Sequence, residues 1–263
     1  MGFTEIEYRA LNREWNMASL HSHEYYEIYC LLEGERTLIF ENKKLALKPR
    51  SVAVIPPSCI HRTEGGAYRR VNLYLSPSEL NEAERSLLDA CFRLVAFEPR
   101  GERGELFFSL LESMDEDYPA ASLQKKYTLH LIKSLIYLLR GAELLPLPTE
   151  RLTTSEKRGD EAVLGVVGYI NEHYREPITL ERLSELFFVS KNTLCRNFQR
   201  VMKCSVMEYC SLVRLNAAKR LLTETAKGMS EIAELCGYSS ANYFSLIFKQ
   251  NVGISPREYR KKR

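Results

Sequence analysis

The chain has 263 residues, 45% hydrophobic and 27% charged, which is enough for two domains of ordinary size, each with its own core. No run of about 18 apolar residues occurs, so the composition argues against a membrane-spanning helix. The seven cysteines form no CxxC pair, so we expect reduced thiols rather than a disulfide framework or a zinc knuckle.

The net charge of +3 is unevenly distributed. Residues 1–160 carry 21 Lys and Arg against 24 Asp and Glu, a net charge of −3, whereas residues 161–263 carry 16 against 10, a net charge of +6. The basic C-terminal segment favours a polyanionic partner, although a basic surface can also serve solubility alone.

The N-terminal segment has the pattern of a β-rich domain. Its first residues, MGFTEIEYRALNREW, carry charges and no apolar stretch of secretory length, so we expect a cytoplasmic protein. From about Leu20 to Leu75, short apolar runs alternate with turn signals such as EG at 33–34 and PPS at 56–58. This spacing is typical of an antiparallel sandwich or barrel.

Between Ser78 and Arg140 the apolar period lengthens to that of helices, in SELNEAERSLLDACF, GELFFSLLESM and LQKKYTLHLIKSLIYLLRG. The last helix has two apolar faces, one formed by Leu131, Leu135 and Leu138 and the other by Leu129, Ile132, Ile136 and Leu139. Both faces must be covered, either within the domain or by a second copy of the chain. Residues 141–160 then combine prolines, glycines and a Ser/Thr/charged cluster, which predicts a linker.

The C-terminal segment contains an internal repeat with a spacing of 50 residues. Placing LSELFFVSKNTLCRNFQRVMKCSVMEY over IAELCGYSSANYFSLIFKQNVGISPREY aligns the two copies. Each copy predicts a short helix, a tight turn and a second helix, and a long helix without proline joins the copies. The predicted N-caps are Thr179, Ser190, Ser205, Ser230 and Ser240.

The second helices of the two copies carry polar and basic side chains on their outer faces. In the first copy these are Lys191, Asn192, Thr193, Cys195, Arg196, Gln199 and Arg200; in the second they are Ser240, Ala241, Asn242, Tyr243, Ser245 and Lys249, beside Leu246. Amides, hydroxyls and guanidinium groups contact base edges, and lysines contact phosphates. Two hairpins with solvated outer faces are the alternative, but the repeat and the charge favour two helix-turn-helix units that bind double-stranded DNA.

Residues 232–260, IAELCGYSSANYFSLIFKQNVGISPREYR, resemble the C-terminal signature of the AraC/XylS family of bacterial transcription regulators. The first unit resembles the family more loosely. The family commonly has arginine where this chain has Leu246, so we expect the second unit to contribute mostly phosphate contacts and positioning. It usually has glycine where this chain has Lys203, so we expect a strained or rebuilt turn there.

The N-terminal half resembles the cupin-type sensor barrel common in this family. HSHEYYEIYCLLEG and PPSCIHR have the spacing of the two cupin motifs, with Ser58 where cupins usually have glycine. Positions 21, 23, 27 and 29 of a single strand would point to one face. We therefore expect an effector-binding site formed by His21, His23, Glu27, Tyr29 and His61.

Three interpretations of this cluster remain open. Three histidines and a glutamate, His21, His23, Glu27 and His61, would suit a divalent transition metal. Regulators that resemble this chain usually bind a small organic effector, such as a sugar or related metabolite, without a metal. A purely structural cluster is the third interpretation. We predict no obligatory cofactor, and we note Arg36 and Arg62 as candidates for contact with an acidic effector.

Together these patterns predict an α+β protein. We expect a cupin-like antiparallel β-barrel over residues 1–76, a helical dimerisation segment over 77–140, a linker over 141–160, and an all-α tandem helix-turn-helix domain over 161–263. The resemblance implies an effector-responsive homodimer in the cytoplasm, associated with the nucleoid, that activates transcription and has RNA polymerase, but no membrane, as a further partner.

Two other functions remain as alternatives. The first is a cupin metalloenzyme, an oxygenase or isomerase, fused to a DNA-binding domain, which requires a metal with an open coordination position. No GxSxG, GxxxxGK[ST] or HExxH motif indicates another catalytic chemistry, and we expect no enzyme. The second is architectural DNA binding without sequence preference.

Overall fold

The computed structural model describes residues 4–14, 16–17, 20–40, 43–113, 125–148 and 157–261. The chain divides into two compact units, Met1–Arg151 and Leu152–Arg263. Within the described residues, no helix has both the length and the apolar character needed to cross a membrane.

The first unit is built on one antiparallel sheet. Its seven strands are β1 (Thr4–Leu11), β2 (Tyr26–Phe40), β3 (Lys43–Leu47), β4 (Ser51–Ile55), β5 (His61–Leu75), β6 (Ala96–Arg100) and β7 (Glu143–Pro146). Their order is β1-β5-β2-β4-β6-β7, with β3 paired to β2. The two 15-residue strands β2 and β5 pair from one end to the other and form the centre of the sheet.

The α+β class and the antiparallel pairing are confirmed, but the described strands of the predicted β-barrel do not close. The free side of β4 pairs with β6, and β7 extends the sheet beyond it, so the described strands form an open sheet with β1 and β7 at its edges. Two register shifts between β2 and β5 bend this sheet. Gly34 lies at one of them with φ +84°, where a Cβ would collide with the carbonyl oxygen of Ala67.

The two faces of the sheet pack into different cores. One face contacts α1 (Glu82–Leu94), α2 (Gly101–Glu112) and α3 (Lys125–Gly141), and its core includes Ile28, Phe107 and Ile136. The other face encloses a core that includes Tyr29 and Phe40. Before the bend in β2, the even-numbered Ile28 and Cys30 pack against the helices, and the odd-numbered Tyr29 lies in the second core. After the bend, the even-numbered Leu38 and Phe40 lie in the second core. The side chains of β2 therefore change face at the bend.

The helical segment belongs to this same unit, and its helix α3 is covered largely from within it. The buried side chains of α3 are Ile132, Leu135, Ile136 and Leu139, and those partly buried against the same core are Leu129, Leu131 and Leu138. Tyr127 and Tyr137 remain exposed. The strands β6 and β7 were not predicted, because AFEPR lies between helical patterns and ELLP lies in the expected linker.

The second unit is all-helical in its described residues. Its helices are α4 (Lys157–His173), α5 (Leu180–Leu186), α6 (Lys191–Met202), α7 (Val206–Glu224), α8 (Met229–Leu235), α9 (Ala241–Val252) and α10 (Pro256–Lys261). The N-caps at Thr179, Ser190, Ser205 and Ser240 are confirmed, since each side chain accepts a hydrogen bond from the backbone N–H three residues ahead. The cap predicted at Ser230 is wrong: α8 begins after Gly228 and includes Ser230.

The long helix α7 ties the two helical hairpins together. Ser205 and Glu208 form a capping box at its start. The guanidinium of Arg214 donates to the carbonyl oxygens of Tyr174 and Glu176 at 2.8 and 2.9 Å, and that of Arg260 donates to the carbonyl oxygen of Lys227 at 2.7 Å. The charge-assisted hydrogen bonds of Arg214 hold the segment before α5 against α7, and that of Arg260 holds the segment after α7 against α10.

Candidate functional site

The two candidate recognition helices, α6 and α9, are equivalent in length and in both caps. Each has 12 residues, follows a serine N-cap and ends at a left-handed residue, Lys203 at φ 59° or Gly253 at φ 83°. The strained turn expected at Lys203 is therefore confirmed, since a non-glycine residue in this conformation costs about 1 kcal/mol. Their inner faces are buried, with Phe198 and Phe248 at the same position.

The outer faces of both helices are open to solvent. Those predicted DNA-contacting residues that are exposed are Lys191, Asn192, Cys195, Arg196, Gln199, Arg200, Ser240, Asn242, Tyr243 and Lys249, and those that are partly buried are Thr193, Ala241 and Ser245. Several of these side chains already have local contacts, including the N-cap Ser240, which accepts from the Tyr243 N–H. Lys191 forms an ion pair with Glu181, Thr193 accepts from the Ser190 hydroxyl at 2.9 Å, and Ser245 donates to the Ala241 carbonyl at 2.8 Å.

The candidate effector site lies in the first unit, where four predicted residues converge. One potential ligand atom from each of His21, His23, Glu27 and His61 lies within 4.8 Å of the others. The expectation of a single strand is wrong, because only Glu27 and Tyr29 lie on β2. His21 precedes β2 and joins β5 through an isolated bridge, exchanging backbone hydrogen bonds of 3.0 and 3.1 Å with His61.

Two imidazoles face one carboxylate oxygen. The Nδ1 atoms of His23 and His61 lie 2.7 and 3.1 Å from the carbonyl oxygens of Tyr25 and Cys59, and only a protonated Nδ1 can donate there. The Nε2 atoms of the same rings lie 3.0 and 3.3 Å from Oε2 of Glu27. In neutral imidazoles both Nε2 atoms then present lone pairs to an anion, so this arrangement requires a cation: protons on the rings or a metal ion.

The pKa shifts agree with a site built around positive charge. Burial alone would raise the pKa of the Glu27 carboxyl, but its contacts with His23 and His61 outweigh burial and hold that pKa below its ordinary value. Burial and the neighbouring His61 lower the pKa of His21 to about 4, so His21 is neutral near pH 7. Its Nδ1 is buried and has no hydrogen-bond partner within the described part of the chain.

Three further residues of this site, all on β5, were missed by sequence reasoning. Asn72 donates from Nδ2 to Oε1 of Glu27 and, at 2.8 Å, to the Tyr74 hydroxyl, and the buried Arg70 donates to Glu7 at 3.1 Å. They face the cluster because β5 pairs with β2 in a register that places Asn72 opposite Tyr29. No local pattern in the sequence reveals that register. The predicted Arg36 and Arg62 instead contact the Gly65 carbonyl and Glu64.

Two cavities of different size lie in this unit. The cavity lined by His21, Glu27 and His61, together with Tyr29 and Arg70, has a volume of about 60 Å³, far below the roughly 300–1,000 Å³ typical of organic ligands. A more open cleft of about 610 Å³ lies at the bend of the sheet, beside Asn12, Glu33 and Arg69. In this conformation the first cavity suits an ion, and the second has room for a molecule of sugar size.

Comparisons with known proteins identify a ligand-binding domain and a helix-turn-helix domain in this chain. Residues 5–139 match the family model of an AraC-like ligand binding domain, and residues 183–262 match that of a helix-turn-helix domain. The uncharacterized HTH-type transcriptional regulator YisR of Bacillus subtilis is 35% identical over 127 residues, which are 48% of this chain and 41% of that protein. The probable transcriptional regulator LumQ of Photobacterium leiognathi is 25% identical over 241 residues, covering 91% and 90%.

Among solved structures, the C-terminal domain of AraT, a response regulator from Geobacillus stearothermophilus, matches 43% of this chain and 89% of that domain, with 32% identity and a TM-score of 0.38. The alignments cover 41%, 34% and 53% of the first three curated relatives. None of these matches supports the metalloenzyme alternative. The ligand-binding model spans more than half of the chain, and the chain belongs to the AraC family of transcription regulators.

Proposed function

We propose that this protein is a ligand-responsive transcription regulator that binds DNA in a sequence-specific manner. The observation that carries the proposal is the pair of equivalent helices, α6 and α9, whose outer faces are exposed and polar. Exposed amides and guanidinium groups on such helices match the donors and acceptors of the major groove. The net charge of +6 over residues 161–263 provides the attraction to phosphates.

The length of α7 supports simultaneous contact with two grooves. Its 19 residues span about 28 Å at 1.5 Å per residue, close to the roughly 34 Å between successive major grooves on one side of B-DNA. Two recognition helices joined by such a helix would contact consecutive turns of one duplex.

The cluster in the first unit supports a divalent metal as its ligand. His21, His23, Glu27 and His61 would hold the ion, and the Nδ1–H groups of His23 and His61 already donate to backbone carbonyls, the usual orientation of metal-bound histidines. A bound cation would supply the positive charge on which two Nε2 lone pairs and a carboxylate converge. An organic effector would bind in the open cleft beside Arg69.

Dimerisation and transcriptional output complete the proposal. On α3, Tyr127, His130, Ser134 and Tyr137 share one exposed face, which would contact a second copy of the chain. Ligand binding would change how two copies pair and thereby their fit to neighbouring half-sites. The dimer would act on chromosomal DNA in the cytoplasm and activate transcription through RNA polymerase.

The DNA-binding proposal is tested by selecting ligands for the full chain from random duplexes, followed by footprinting. We expect one selected operator with two protected patches about one helical turn apart on the same side of the duplex. Equal affinity for all sequences with a steep dependence on salt would instead indicate architectural binding and refute the proposal.

The metal proposal is tested by elemental analysis of the purified protein and by titration with Co²⁺. We expect about one equivalent of a transition metal per chain, and a His61→Ala variant without it. Metal content below about a tenth of an equivalent, together with no response to Co²⁺, would refute the proposal that the cluster binds a metal.

A further inference from the structure

The two recognition helices differ in chemistry at the same position. Arg196 is the sixth residue of α6 and Leu246 is the sixth residue of α9, and the two helices have the same length and the same caps. The third residues likewise differ, Thr193 in α6 and Tyr243 in α9. Because the helices are equivalent, each pair would occupy the same place relative to its groove.

At these two positions the outer face of α9 carries an aromatic and an aliphatic side chain, whereas that of α6 carries polar ones. Leu246 is 55% exposed and Tyr243 is 51% exposed, so neither serves the core of the unit. Of the 12 residues of α9 only Lys249 is basic, whereas α6 carries Lys191, Arg196 and Arg200. The helix α9 therefore lacks the guanidinium groups with which α6 can contact guanine, and its base contacts would come from other side chains.

We propose that α9 recognises thymine methyl groups, with Leu246 and Tyr243 as the residues that determine its specificity. This inference rests on the proposed function and names the base class for one of its two helices. The C5-methyl group of thymine is the apolar group of the major groove, and leucine and the tyrosine ring are suitable partners for it. Asn242, exposed beside them, carries the amide that pairs with adenine N6 and N7. The half-site of α9 is therefore rich in A·T pairs, and that of α6 contains guanine.

The test uses the full chain and its selected operator, with each thymine replaced in turn by deoxyuridine, which removes only the methyl group. Burial of one methyl is worth about 0.8 kcal/mol, so we expect an affinity loss of about fourfold at the contacted thymines of one half-site. Deoxyuridine in the other half-site serves as the control and should change affinity little. The α6 half-site is identified as the one in which Arg196→Ala relaxes base preference.

Variants of Leu246 and Tyr243 test the same contacts from the protein side. Leu246→Ala should bind thymine and deoxyuridine equally at the one position that Leu246 contacts, and Tyr243→Ala should do the same at the thymine that Tyr243 contacts. Leu246→Arg should change the selected base at the position that Leu246 contacts to guanine. Because Leu246 is exposed, both of its variants should unfold at the temperature of the parent protein, which a thermal melt checks.

Each failure has a distinct meaning. If selection returns a two-part operator but no deoxyuridine substitution lowers affinity, the thymine proposal is wrong and the proposed function stands. If Leu246→Ala and Tyr243→Ala each still distinguish thymine from deoxyuridine at every position, these residues are not the determinants and the proposal is overturned. If Leu246→Ala binds the operator with full affinity yet fails to activate purified RNA polymerase, the apolar face contacts the polymerase and the proposal is overturned. Failure to select any operator refutes the proposed function itself.

Discussion

Replacing Glu27 tests two properties of the cluster: its contribution to stability without metal and its ability to bind metal. Its Oε1 accepts from Asn72 and its Oε2 faces the two Nε2 atoms. A Glu27→Gln side chain keeps the acceptor toward Asn72 and places an N–H donor toward His23 or His61. The contacts with His23 and His61 that hold the pKa of the Glu27 carboxyl below its ordinary value favour its ionised form in the folded protein, so we expect the metal-free variant to be less stable than the parent at pH 8 by about 1–3 kcal/mol, measured by urea unfolding.

The same variant should lose its response to metal, because the anionic ligand is gone. Glu5→Gln, an exposed change on β1, removes the same charge outside the cluster and is the matched control. A metal-free Glu27→Gln protein at least as stable as its parent would contradict this stabilisation and would indicate that neutral imidazoles present lone pairs to the carboxylate.

Arg196 and Lys249 should have different roles although both are exposed and basic. Arg196 lies mid-helix on α6, where a guanidinium can contact guanine, so Arg196→Ala should reduce discrimination at one base pair by about 1–3 kcal/mol. Lys249 lies in the last turn of α9, and Lys249→Ala should weaken binding to all sequences similarly and reduce the salt slope by about one. Competition binding with single-base operator variants measures both effects, and identical behaviour of the two variants would refute this assignment.

Among the elements, the turns after α6 and α9 make the same left-handed conformation with different residues. Lys203→Gly should raise the free energy of unfolding of the second unit by about 1 kcal/mol, because glycine adopts this conformation without steric cost. Gly253→Ala is the reverse change, and it should lower stability by a similar amount through conformation alone, since nothing lies within 4 Å of the added Cβ. Chemical denaturation measures both. Equal signs for the two variants would show that local packing, not φ, decides the effect.

The helical repeat was predictable because the sequence signals that define its helices lie within or next to each helix. Serine caps, a 50-residue period and apolar positions at helical spacing fix α5 to α9 nearly to the residue. The error at α8 arose because Gly228 precedes the helix, so that Ser230, the nearest residue with a capping side chain, lies within it. The sheet was predictable only in class, since its open topology depends on which strand pairs with β4, a contact between Val52 and Phe97 that no local pattern records.

The candidate sites likewise contain residues that local sequence patterns predict and residues that only long-range strand pairing brings together. The candidate recognition residues follow from helix periodicity alone, and the cluster of three histidines and Glu27 follows from motif spacing. Asn72 and Arg70 were missed because they lie more than 40 residues from Glu27 along the chain and approach it only through the pairing of β2 with β5. The small volume of the cluster cavity is a product of packing and has no counterpart in the sequence.

For the whole molecule, the decisive question is whether the ligand unit and the DNA-binding unit are coupled. Each unit has its own hydrophobic core, so each can unfold separately. Metal at about 100 times its Kd should stabilise the first unit by about 2.7 kcal/mol. A regulator requires more, namely a change in operator affinity when the first unit is loaded.

Thermodynamic linkage makes that coupling measurable from both ends. If metal changes operator affinity by a given factor, operator DNA must change metal affinity by the same factor, and allosteric coupling is typically about 5- to 150-fold. We therefore expect equal factors from metal titrations with and without operator and from operator titrations with and without metal. The Glu27→Gln variant should show neither a metal-dependent change in operator affinity nor an operator-dependent change in metal affinity. Metal that binds fully but leaves operator affinity unchanged would mean that the cluster stabilises the first unit only, and that the effector acts elsewhere, with the open cleft at the bend of the sheet as the next site to test.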